Sequence, residues 1–289
     1  MHYHNPFHQK RHTTKASHGI KFVTSITTTI ALILVCALAV SQIIPTDRTN
    51  RSAKVAQGKT TRSKKPVKTT FTPASGEFRG VWISFQDIGE KRYTKKQFEN
   101  FINKTFDNCK KNGFNAVIVH VRPFADALYP SSYFPWSRYV SGKAGKHPGF
   151  DPLSYAVSAA HKRGLAFHAW INPYRIASNT TNVYKLPKKS IARKWAVSKK
   201  ASKRRNVLKW DGKLYFNPAS KDVQNLVCNG VREIVRDYAV DGIHFDDYFY
   251  PEVDNSKESR WFDKPEYEAS GSSLSIAQWR RENGNELIC

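Results

Sequence analysis

Phe114-Asn-Ala-Val-Ile-Val-His-Val121, followed by Arg122-Pro123, decides how this chain is read. The run is almost wholly apolar and β-branched at its centre, and it begins directly after Gly113. A half-buried strand alternates apolar and polar residues; a near-continuous apolar run suits a parallel strand covered on both faces. Just upstream, Phe98, Phe101, Ile102, Phe106 and Cys109 recur at helical spacing, so 93–112 is expected to be a helix, capped by Thr94 and closed by Gly113.

The same unit repeats outward from this point. Arg79-Gly-Val-Trp-Ile-Ser84 reads as a strand before the first helix. A second helix is expected over 151–163, with Asp151-Pro152 as its start and Gly164 as its stop. Leu165-Ala-Phe-His-Ala-Trp-Ile171 gives a third strand, and 176–213 a long polar segment. A third helix follows over 220–238, with Val223, Val227, Val231, Ile234 and Val235 on one side. Gly242-Ile-His-Phe-Asp246 gives a fourth strand and 275–288 a fourth helix. Strand and helix alternating four times predict an α/β fold with a parallel sheet, the N-terminal half of a TIM (β/α)8 barrel. The expected strand order is sequential, with helices outside and Ile83, Val119, Phe167 and Ile243 buried. The last residues, up to Cys289, fall in the fourth helix, which reads as a half-barrel or a truncated product. No G-x-G-x-x-G or G-x-x-x-x-G-K-[ST] follows a strand, so no nucleotide cofactor is expected.

The 289 residues include 47 Lys+Arg against 23 Asp+Glu, a net charge of +24, but the excess is local. Residues 1–76 carry 12 basic residues and one acid, Asp47; residues 185–213 carry 12 more and one acid, Asp211. The rest is near neutral. From 22 to 46 no residue is charged, and Lys10, Arg11, Lys15 and Lys21 precede that run. It is long enough to span a bilayer, and the basic flank places residues 1–21 in the cytoplasm and the domain outside. An uncleaved single-pass signal anchor and a signal peptide cut after Ala37-Leu38-Ala39, which would release a secreted domain, are both open. Residues 47–76, rich in Thr, Ser, Lys and Pro, read as a disordered basic linker. The folded domain is then 77–289. Cys36 lies in the span and Cys289 ends the chain, while Cys109 and Cys228 fall on expected helices. No C-x-x-C exists, and neither a disulfide framework nor a metal site is expected.

The chemistry-bearing residues come at the C-terminal ends of the strands, where a barrel builds its active site. His120 and Arg122 follow there, then Trp170, Asn172 and Arg175, then His244, Asp246 and Asp247. Alternation puts His120 with Arg122, His168 with Trp170 and Asn172, and His244 with Asp246 on shared faces. Carboxylates beside indole, imidazole and guanidinium groups suit glycoside chemistry: aromatic faces pack on sugar C–H surfaces and carboxylates act as acid, base or nucleophile. Arg122 can equally be an ion-pair partner of Asp246 or Asp126, and His168 a structural group.

Longer motifs surround these positions: Glu77-Phe-Arg-Gly-Val-Trp-Ile83, Asn115-Ala-Val-Ile-Val-His-Val-Arg-Pro123, Asp126-Ala-Leu-Tyr-Pro-Ser-Ser132, Ala169-Trp-Ile-Asn-Pro-Tyr-Arg175, Phe216-Asn-Pro218, Asp241-Gly-Ile-His-Phe-Asp-Asp-Tyr-Phe-Tyr-Pro251 and Trp279-Arg-Arg-Glu-Asn283. In these the chain resembles the glycosyl-hydrolase-like family 10, over about 77–283. The resemblance implies a TIM-barrel glycoside hydrolase of the bacterial envelope, acting on peptidoglycan-type cell-wall polysaccharide, and a fuller barrel than four units. The Asp241–Asp246 motif is also similar to the D-G-x-D-x-D-x-E of family 18 chitinases. His244 replaces its middle Asp, however, and Tyr248 stands where its acid Glu would be, which disfavours that mechanism.

Asp246 is expected to be the principal catalytic carboxylate, nucleophile or general base, with Arg122 lowering its pKa. Asp247 is the second choice. His120, Arg122, Trp170, Asn172, Tyr174, Arg175, His244 and Tyr248 are expected to contact substrate. The basic stretch, through Lys188, Lys189, Lys199, Lys200, Arg204 and Arg205, is expected either to attract an anionic wall polymer or to be a solvated loop. Nucleic acid is not an expected partner. The alternative function is a catalytically inactive barrel that binds anionic wall polysaccharide.

Overall fold

A computed structural model describes residues 76–246, 250 and 262–288 of the chain. The expected membrane run, the linker up to residue 75, Cys36, Cys289, Asp247 and Tyr248 lie outside the described residues. Within them, no helix is long and apolar enough to cross a membrane.

Seven strands are found among the described residues. These are β1 (Gly80–Ile83), β2 (Ala116–Arg122), β3 (Ala166–Ile171), β4 (Arg175–Ala177), β5 (Val207–Trp210), β6 (Lys213–Phe216) and β7 (Gly242–Phe245). Four of them make one parallel sheet in the order β1-β2-β3-β7, which is chain order for the four expected units. The helices that follow these strands are α1 (Lys95–Lys111), α2 (Pro152–His161), α3 (Lys221–Asp237) and α4 (Ile276–Ile288).

Local chemistry sets the helix ends. Thr94 accepts the Gln97 N–H at 3.2 Å while the Gln97 side chain accepts the Thr94 N–H at 3.0 Å, a reciprocal cap on α1. Asp151 accepts from the Ser154 N–H at 3.1 Å ahead of Pro152. After α1 the chain turns through Gly113 at φ 80°, a left-handed conformation that costs glycine nothing and a β-branched residue a great deal.

Each strand presents two faces. Ile83, Val117, Val119, Val121, Phe167, Ala169 and Ile171 pack into one core with Ile102, Phe106, Leu153, Val157, Val227 and Ile234 of the helices. The opposite, barrel-facing side carries Trp82, Ile118, His120, His168, Trp170 and His244. Ile83, Val119 and Phe167 are buried as expected, but Ile243 is only half-buried. It sits on β7, which among the described residues has a neighbour on one side only.

The segment 176–213 is not the plain polar loop expected. Its two ends and the residues that flank them, β4, β5 and β6, form a three-stranded antiparallel sheet in the order β4-β6-β5, with short helices between at Ile191–Ala196 and Ala201–Arg204. Asp211 (φ 43°) and Gly212 (φ 66°) make the two-residue turn between Trp210 and Lys213, the left-handed pair that such a hairpin requires. A further helix, Lys264–Ser270, precedes α4.

Candidate functional site

The C-terminal ends of β2, β3 and β7 bring His120, Trp170 and His244 to one side of the sheet, in register His120 beside Trp170 and Trp170 beside His244. His120 and Trp170 stack with ring centroids 3.2 Å apart and planes at 11°. Trp82, from β1, meets Trp170 edge-on at 4.7 Å and His244 edge-on at 4.3 Å. Edge-to-face contacts of this kind fix ring orientation as well as burying area. Trp82 is nonetheless 42% exposed, so its indole is both oriented and open. Sequence reading missed Trp82; the signal for it was alternation along β1, which puts it on the face of His120 and Trp170.

Burial decides the charge state of the imidazoles. His120 is 2% exposed, and its pKa is pushed down to about 3. Loss of solvation is the main cause; the Asn172 carboxamide beside the ring pulls the other way, and the Arg175 charge adds to the fall. The Phe85 N–H donates to His120 Nδ1 at 3.4 Å, so the neutral ring carries its proton on Nε2. His168 and His244 are also lowered by burial, against the charge of Asp241 on His168 and of Asp246 on His244. The cluster is therefore neutral and apolar-walled at pH 7.

Asn172 is placed just past the end of β3 rather than within it. Its N–H donates to the Arg122 carbonyl at 3.0 Å and its Nδ2 to the Pro123 carbonyl at 3.1 Å, which locks the two strand ends together. Asn172 Oδ1, His120 Nε2 and Trp170 Nε1 are buried and have no hydrogen-bond partner among the described residues. Asn172 and His120 are close enough for the carboxamide to support the ring, which leaves the Trp170 N–H as the donor with no polar neighbour to satisfy it. Asp246 follows His244 by two residues, is exposed, and its charge is felt at the His244 ring.

Three expectations fail on geometry. A bulge in β2 between His120 and Arg122 breaks alternation: His120 pairs with Trp170 but Arg122 with Ile171, a core residue on the helix side. Arg122 thus leaves the face of His120. Its guanidinium lies 4.4 Å from the Phe134 ring, beside Gly230 of α3. It is 1% exposed, and burial lowers its pKa to about 10 against the support of Tyr129, Asp126 and Glu233. Asp246 is not among those groups, and none of the three guanidinium nitrogens has a hydrogen-bond partner among the described residues, so the expected Arg122–Asp246 pairing is not formed there. Glu233 itself accepts the Ser131 hydroxyl at 2.5 Å and the Ser132 N–H at 2.7 Å.

Tyr174 also turns inward. It is 1% exposed within the helix-side core, and burial raises its pKa, with Cys228 and Glu286 adding to the rise. Arg175 stays near the site: its guanidinium is 5.9 Å from the Phe124 ring and its charge reaches His120. In the basic stretch, Arg204 donates to the Ser198 and Lys199 carbonyls at 2.9 Å, and Arg205 binds Glu266 at 2.6 Å. Those two arginines brace the insertion. Lys188, Lys189, Lys199 and Lys200 are exposed.

Residues 77–289 match the family model described as Glycosyl hydrolase-like 10. Among curated proteins, the chain is 40% identical over 222 residues to glycosyl hydrolase YngK of Bacillus subtilis, covering 73% of this chain and 41% of that one. It is 34% identical over 236 residues to glycosyl hydrolase DigH of Escherichia coli, covering 78% and 53%. The chain therefore spans about half the length of the curated relatives it matches. Among solved structures, a hypothetical protein from Ruminiclostridium thermocellum aligns over 68% of this chain and 93% of its own, at 14% identity and TM-score 0.38. A maltogenic α-amylase, AmyB of Thermotoga neapolitana, aligns over 65% and 43%, at 16% identity and TM-score 0.39.

Proposed function

The chain belongs to the glycosyl hydrolase-like 10 family, and from that premise we propose that it acts as a glycoside hydrolase on cell-wall, peptidoglycan-type glycan, outside the cell and tethered by its uncharged 22–46 run. The observation that carries the reading is the neutral aromatic floor of Trp82, His120, Trp170 and His244, with Asp246 standing beside His244. A floor of this kind takes the C–H face of a sugar ring, and the carboxylate at its edge meets the scissile carbon or a water. Asp246 serves as nucleophile or general base. His120 Nε2 and Trp170 Nε1 donate to hydroxyl or acetamide oxygens, and Asn172 Oδ1 accepts from a hydroxyl or the acetamide N–H. Lys188, Lys189, Lys199 and Lys200 draw an anionic polymer toward this end of the sheet. The second reading, an inactive barrel that holds wall polysaccharide, has the same floor without turnover.

Digestion of purified peptidoglycan, with and without its stem peptides, followed by product analysis, separates the two. Release of soluble saccharides by the wild type and none by Asp246→Asn supports hydrolysis. Retention of glycan without release by either protein supports the binding reading.

A further inference from the structure

Between the loop that follows β2 and the segment that follows β4 lies a cavity of about 300 Å³. Its walls include Phe124, Asp126, Ile176, Asn179, Lys185 and Pro187. Binding pockets run from roughly 300 to 1,000 Å³, so this one has room for a single ring with its substituents. It is distinct from the aromatic floor but adjoins it through Phe124. The Phe124 ring contacts Phe85 at 5.2 Å, and the Phe85 N–H is the donor to His120; Arg175, whose charge reaches His120, lies over the same phenyl ring.

The lining is mixed in a particular way. Phe124, Ile176 and Pro187 give apolar surface, Asn179 an amide, and Asp126 a half-buried carboxyl. Asp126 takes the Phe124 N–H at 3.2 Å and a hydrogen bond from Ser137. A carboxylate has about four acceptor sites, so two remain for a ligand. Burial raises its pKa to about 6 despite the charges of Arg138 and Arg122, and no ion pair with it is formed among the described residues. An acceptor with spare capacity, set in an apolar wall, matches a ring whose edge is hydroxylated and whose faces are C–H.

We propose that this cavity is a second saccharide subsite, holding one pyranose unit of a glycan beside the aromatic floor, with Asp126 as its hydroxyl-binding anchor. The inference rests on the glycan reading above and adds to it where a neighbouring sugar of the chain sits.

The test is calorimetric titration with a β-1,4-linked N-acetylglucosamine tetrasaccharide. Ala144→Trp places an indole at the cavity rim from an exposed position, so the fold is undisturbed. Asp126→Asn removes the anionic acceptor. The expected result is a dissociation constant raised at least about tenfold in each variant, with unchanged circular dichroism. An unchanged constant in Ala144→Trp, or a wild type that does not bind the tetrasaccharide, overturns the subsite. Should Asp126→Asn misfold, Ala144→Trp still decides. Failure of the hydrolysis reading looks different: peptidoglycan digestion yields nothing while the titrations behave as expected.

Discussion

His120 ties stability to pH in a way that can be calculated. Unfolded, its imidazole titrates near 6.5; folded, it stays neutral down to about 3 because burial strips its solvation. A group whose folded pKa is depressed below its unfolded value binds its proton first in the unfolded state as pH falls. For this histidine, stability is therefore full above about 6.5 and is lost progressively down to about 3. Between pH 7 and pH 4 the unfolded side chain becomes protonated and the folded one does not, a loss of about 3 kcal/mol at 1.36 kcal/mol per pH unit. Asp126 opposes it. Its folded pKa is raised from 3.8 to about 6, so the native state gains a proton first and gains stability over the same span. Between pH 7 and pH 4 that gain comes to about 2 kcal/mol. The wild type alone will show a shallow net slope. The informative quantity is the difference between wild type and His120→Asn, in urea unfolding followed by tryptophan fluorescence at pH 7 and at pH 4. The lost stacking on Trp170 is the same at both values and cancels. The wild type should lose about 3 kcal/mol relative to the variant between them. A difference that is flat to within about 1 kcal/mol would refute a buried, neutral His120.

Other outcomes follow from single contacts. Gly230→Ala puts a methyl 2.8 Å from the buried Phe134 ring and 3.3 Å from Arg122 Nη1; overpacking outweighs the better helix propensity, and urea midpoints should show a loss of about 1–2 kcal/mol. Glu233→Ala unbonds Ser131 and Ser132 and strips counter-charge from Arg122, which should cost about 3 kcal/mol or more in the same assay; a loss under about 1 kcal/mol would mean that Arg122 is neutralised elsewhere. Asp246→Asn should reduce saccharide release by several orders of magnitude at unchanged thermal stability, and near-normal release would move the reaction to other residues.

What could be read from the sequence was what repeats. Thr94 with Gln97, Asp151 with Pro152, and the glycines at 113 and 164 marked the helix ends with local chemistry. The apolar runs at 116–122 and 166–171 marked strands covered on both sides. The insertion was hidden because its strands are only three or four residues long and Lys209 and Lys213 interrupt them. The Asp211-Gly212 pair was a hairpin signal that high local charge obscured.

The site was harder because a side chain's face is a cumulative property of its strand. Alternation assigns His120, Trp170 and His244 correctly because each lies before any irregularity in its strand. Arg122 lies after a bulge, and one residue of slippage moves it from the sugar-facing side to the helix side. Its sequence neighbours give no warning, since Val121 fits either arrangement. What settles the matter is α3: Gly230 leaves room for the guanidinium, Phe134 supplies a ring for it and Glu233 a charge, all from positions about a hundred residues away or a loop apart. Among the described residues, then, the imidazole that feels the charge of Asp246 is a neutral one, and the arginine expected beside it lies over the Phe134 ring on the helix side.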